Sequence, residues 1–70
     1  MRYLVIIERA ETNFAAYSPD LPGCVATGET AEEVEQNMKE AVEFHLEGIR
    51  LHGDSIPEPN TLAVYIDVAA

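Results

Sequence analysis

The sequence predicts a small α+β domain, a two-layer β-β-β-α-β arrangement with an antiparallel sheet and one helix on one face. Three observations predict it. Short apolar segments broken by turn residues open the chain, a capped amphipathic segment follows, and one alternating apolar segment closes it.

The first segment, Tyr3-Leu4-Val5-Ile6-Ile7, is dense in β-branched and aromatic residues and reads as a strand. Polar residues 8–12 fit a hairpin connection. Asn13-Phe14-Ala15-Ala16-Tyr17-Ser18 reads as the second strand, stopped at Pro19. The cluster Pro19-Asp20-Leu21-Pro22-Gly23 is a turn, because two prolines fix φ and a glycine admits unusual backbone angles. Cys24-Val25-Ala26-Thr27 gives a short third strand, ended by Gly28.

The helix carries its own start signal. Thr30 is a good N-cap and Glu33 completes the capping box three residues on. Acidic Glu29, Glu32, Glu33 and Glu35 suit the positive end of the helix dipole. At about 100° per residue, Ala31, Val34, Met38, Ala41, Val42, Leu46 and Ile49 share one apolar sector. The helix is expected to run to His52 and stop at Gly53. Residues 54–60, with Pro57 and Pro59, form a rigid loop. In the closing strand, residues 61–68, Leu62, Val64, Ile66 and Val68 face one way and Ala63, Tyr65 and Asp67 the other.

Seventy residues make one domain, residues 1–70, and so small a core needs reinforcement. A single cysteine excludes a disulfide within the chain. One helix covers one sheet face, yet the first strand is apolar on both. Tyr3, Val5 and Ile7 lie on one side, with Leu4 and Ile6 on the other. A second copy is the expected cover, as a homo-oligomer, dimer or tetramer.

Thirteen acidic against four basic residues give a formal charge of −9. That field repels phosphate backbones and favours a basic protein partner. No apolar run approaches a membrane span or a signal peptide, and the free cysteine suits a reducing cytoplasm.

Tyr17-Ser18-Pro19-Asp20-Leu21-Pro22-Gly23-Cys24, then Thr27-Gly28-Glu29-Thr30 with Glu32 and Glu33, resemble the N-terminal domain of HicB-family antitoxins. Asn37, Ala41-Val42, Leu46-Glu47-Gly48, Gly53 and Ile56-Pro57-Glu58-Pro59 extend the resemblance over nearly the whole chain. The resemblance implies a partly degraded ribonuclease-H-like fold. It also implies a partner, a HicA-type toxin, which is a small basic ribonuclease whose catalytic surface the antitoxin covers. Many family members carry a C-terminal DNA-binding module. This sequence stops at Ala70, so neither such a module nor direct nucleic-acid binding is expected.

Catalysis is not expected. Ribonuclease-H chemistry gathers several carboxylates around two metal ions, whereas Glu8, Asp20 and Asp67 are scattered and most other acids decorate the helix. His45 and His52 are separated by about 10.5 Å of helix rise, too far to share one zinc. No metal or cofactor is expected. Cys24 has no basic neighbour and reads as a small hydrophobe. Candidate partner contacts are Asp20, Leu21, Pro22, Gly23 and Cys24 in the turn, the acidic row Glu40, Glu43 and Glu47, and apolar Phe44 and Leu51. Phe44, Gly48 and Leu51 lie outside the core sector, and the loop at residues 56–59 is their expected cover, the alternative being another chain. The function expected is toxin neutralisation; the alternative is an orphan oligomeric adaptor of the same fold.

Overall fold

The computed structural model describes residues 1–69. Three strands, β1 (Ile6–Arg9), β2 (Phe14–Tyr17) and β3 (Val25–Gly28), form an antiparallel sheet in the order β1-β2-β3. One helix, α1 (Ala31–Leu51), lies across one face. This is the predicted α+β architecture, with two differences at the sheet's margins.

The first difference concerns where β1 begins. It starts at Ile6, not Tyr3, and continues to Arg9 through residues expected in the connection. The register explains the start. Ile6 faces Tyr17, so Leu4 would face Pro19, which has no amide hydrogen to give the ladder. Arg9 gains a place opposite Phe14, and its guanidinium lies 6.0 Å from the ring centroid.

The second difference is the closing segment. The structure places no strand at residues 61–68. Its alternating apolar side chains meet no ladder of this chain: Leu62, Val64, Ile66 and Val68 are 77–90 % exposed. The Cα radius of gyration is 13.9 Å, against about 11 Å for a compact chain of this length. The long axis measures 49 Å, while a helix like α1 accounts for only about 31 Å. The closing segment is an arm that leaves the body.

The helix boundaries follow the local chemistry. The Thr30 hydroxyl accepts from the Glu33 amide at 3.0 Å, and the Glu33 carboxylate reaches back to the Glu29 amide at 3.2 Å. His52 is the C-cap, and Gly53, at φ 75°, adopts the left-handed conformation that ends the helix. Of the predicted stripe, Val34 and Met38 are fully buried and Ala41, Val42, Leu46 and Ile49 half-buried, while Ala31 is exposed in the first turn.

Ala16, Leu21, Cys24, Val34 and Met38 form the core. α1 sits chiefly over β3 and β2 and least over β1. Gly28 permits that placement, because a Cβ there would come within 2.6 Å of the Val34 backbone nitrogen. Asn37 braces it by donating from Nδ2 to the Thr27 carbonyl at 2.9 Å. In the C-terminal half of the 21-residue helix, Ala41, Val42 and Leu46 pack onto the core together with Tyr3 and Val5, the residues that precede β1.

Candidate partner-binding surface

The outer face of α1 carries the most distinctive surface. Glu40, Glu43, Phe44, Glu47 and Leu51 fall within about 100° of one another, opposite the core-facing stripe. All five are exposed, and Phe44 and Leu51 each keep 79 % of their surface in solvent. Two bare apolar side chains thus stand within a row of carboxylates. Gln36 donates to Glu40 at 3.0 Å, which steadies one end of the row. The expected cover does not form. The loop is drawn elsewhere, since Tyr3 donates its hydroxyl hydrogen to the Pro57 carbonyl and Asp20 grips Thr61. Phe44 and Leu51 therefore remain open, and His45, Gly48, Ile49 and His52 line a shallow dent beside Phe44.

The turn at residues 20–24 divides between core and surface. Leu21 is wholly buried and Cys24 is 4 % exposed, so both belong to the interior and present no free surface to a partner. Burial also pushes the Cys24 thiol up from its ordinary 9.0. Pro22 and Gly23 form the exposed tip. Asp20 has a different occupation: its Oδ1 accepts from the Thr61 hydroxyl at 2.8 Å, and its Oδ2 accepts from the Asn60 and Thr61 amides at 3.2 Å each. The turn is the anchor of the arm.

Two apolar surfaces were less visible from local pattern. On the sheet face away from α1, the register aligns Ile6, Tyr17 and Val25 in one row across all three strands. Tyr17 is 39 % and Val25 65 % exposed. The arm is the other. His52 directs Nδ1 to the Gly48 carbonyl of its own helix. Among the described residues no three His, Cys, Asp or Glu side chains converge as a metal site, and no helix is long and apolar enough to cross a membrane.

A three-stranded antiparallel sheet under one capped helix makes a small α+β domain whose helix presents acidic and apolar side chains to solvent. The chain belongs to the HicB-like antitoxin family: the sequence model for the HicB-like antitoxin of bacterial toxin–antitoxin systems matches residues 3–69. A UPF0150 protein of Thermoplasma acidophilum is 38 % identical over 86 % of this chain and 88 % of its own length. A 14.9 kDa protein from the rep-hol intergenic region of Haemophilus phage HP1 is 36 % identical over 96 % of this chain, which spans 50 % of that phage protein. A UPF0150 protein of Synechocystis is 31 % identical over 86 % of this chain. No solved structure matches it.

Proposed function

We propose that this chain neutralises a small basic ribonuclease of HicA type by binding it, acting in the cytoplasm as a homo-oligomer and catalysing nothing itself. The observation that carries the reading is the outer face of α1, where Phe44 and Leu51 stand bare beside Glu40, Glu43 and Glu47. Exposed aromatic and aliphatic anchors with a charged border are what a protein partner buries. A net charge of −9 speeds encounter with a basic surface. Membership of the HicB-like family supports the same kind of partner. The Pro22–Gly23 tip extends the proposed contact surface, with Asp20, Leu21 and Cys24 acting from behind it by shaping the turn.

The homo-oligomer part of the reading rests on the row Ile6, Tyr17 and Val25 and on the arm, surfaces that one helix leaves uncovered. The test is co-expression with a HicA-type toxin taken from a neighbouring short basic reading frame. The reading predicts that growth arrest by that neighbour is relieved and that the two chains co-purify. Continued arrest with no co-purification contradicts it.

A further inference from the structure

We infer that the arm at residues 62–69 is exchanged between two copies of this chain, each arm adding a fourth strand along the β1 edge of the other copy. The inference deepens the homo-oligomer part of the proposed function and is independent of the toxin.

Four observations carry it. The arm has strand chemistry without a ladder: Leu62, Val64, Ile66 and Val68 alternate, and the side chains from Leu62 to Val68 that are large and apolar, Tyr65 included, are 77–103 % exposed. Its root is fixed, because Asp20 holds Asn60 and Thr61 through three hydrogen bonds. That root sets Leu62 and Ala63 across an open cleft from Tyr3, Leu4 and Val5 of the same chain, and the residues beyond them extend into solvent.

A matching vacancy exists on every copy. α1 leans toward β3, and on the β1 side a groove opens between Tyr3 and Val5 on the sheet layer and Met38, Val42 and Leu46 on the helix, an apolar floor edged by Glu35, Lys39 and Glu43. The backbone of residues 1–5 beside it has no ladder partner. A strand laid against that edge would turn one alternate row of its side chains into the groove. Backbone hydrogen bonds and apolar burial would then be satisfied together.

Charge decides between occupants. The helix face is acidic, so a second copy of an acidic chain is repelled from it and a basic partner is drawn to it. The arm is almost uncharged, with Asp67 alone among residues 61–69. It can enter an acidic protein's groove without setting carboxylates against one another. The helix face thus suits a basic partner, and the arm suits a second copy.

Exchange about a two-fold axis, each arm in the other copy's groove, closes the assembly at two copies.

The test uses the full chain in solution. Light scattering gives its mass, and isotope-filtered NMR on a mixture of labelled and unlabelled copies reports contacts between them. A dimer is expected, with intermolecular contacts from Val64 and Ile66 methyls to Val42 and Leu46 methyls. Val64→Pro, which removes a ladder donor at an exposed position, is expected to give a folded monomer by circular dichroism and light scattering. Val25→Arg, on the opposite sheet face, leaves the arm-linked dimer. Three results overturn the exchange. A dimer that survives Val64→Pro but not Val25→Arg keeps the homo-oligomer reading and removes the arm. A monomer whose arm contacts are all intramolecular removes both. An arm that becomes ordered only when a basic partner is added assigns the groove to that partner instead.

Discussion

Asp20 and Thr61, forty-one positions apart, are joined side chain to side chain at 2.8 Å, and the same carboxylate also receives the Thr61 amide. A residue of the second turn thereby fixes where the last segment leaves the body. Asp20→Ala is expected to cost about 1–2 kcal/mol, the loss of part-buried hydrogen bonds to a charged acceptor. Urea unfolding measures the loss. Amide hydrogen exchange should show Thr61 deprotected while the α1 amides stay slow; unchanged exchange at Thr61 would mean the clamp does not hold in solution.

Thr30 closes the N-terminus of α1 with its hydroxyl on the Glu33 amide. Thr30→Ala should lower stability by about 1 kcal/mol, within the range of roughly 0.5–2 kcal/mol found for lost caps. Thr30→Ser should recover most of it. Equal stability of all three chains would remove the cap from the account.

The helix was legible in the sequence because its signals are local. Thr30, Glu33, the apolar spacing from Val34 to Ile49, and Gly53 all lie within or beside the element they define. The ends of β1 were less legible, since they depend on a partner strand: whether Leu4 joins the ladder is decided by Pro19 across the sheet. The arm has the same character. Its alternation marks it as strand material, but an alternating pattern does not say which edge receives it. The openness of Phe44 and Leu51 depended on where the loop goes, and that is set by Tyr3 with Pro57 and Asp20 with Thr61. The turn residues Leu21 and Cys24 illustrate the limit for the site. A motif within an exposed-looking Pro/Gly turn sends two side chains into the core, and only the tertiary fold reveals it.

Gly28 marks the closest approach of helix and sheet. Gly28→Ala would place a Cβ 2.6 Å from the Val34 nitrogen and 2.9 Å from its Cα, and backbone cannot step aside cheaply. Overpacking of this kind costs about 1–3 kcal/mol. Thermal unfolding followed by circular dichroism measures it, and a wild-type midpoint would show that α1 can lift from β3 freely.

The Cys24 thiol is pushed up from 9.0 by burial. Its unfolded counterpart loses a proton first as pH rises, so the folded state's preference for the neutral thiol is stabilising in full below about pH 9 and is lost progressively above it. Native Cys24 should react slowly with a thiol reagent at pH 8 and rapidly once the chain is unfolded in urea. Cys24→Ala should lessen the alkaline loss of stability near and above pH 9. Rapid reaction of the native thiol would contradict its place in the core.

On the proposed interface, Phe44 and the acidic row are expected to divide the work of binding. Phe44→Ala should leave stability within about 0.5 kcal/mol, as expected for an exposed position, yet weaken binding of the basic partner by roughly tenfold or more, as for an interface anchor. Exchanging Glu40, Glu43 and Glu47 for Gln should slow association and flatten its dependence on salt, leaving dissociation nearly unchanged. Calorimetry and stopped-flow mixing separate the two effects; wild-type affinity in both variants would move the interface away from α1.

The most direct measurement is a titration of a HicA-type ribonuclease with this chain, read as RNA cleavage. The account predicts that cleavage falls in proportion to added chain and ends at a fixed molar ratio, with Phe44→Ala shifting the curve to higher concentration. Undiminished cleavage in a large excess of the folded chain would contradict it.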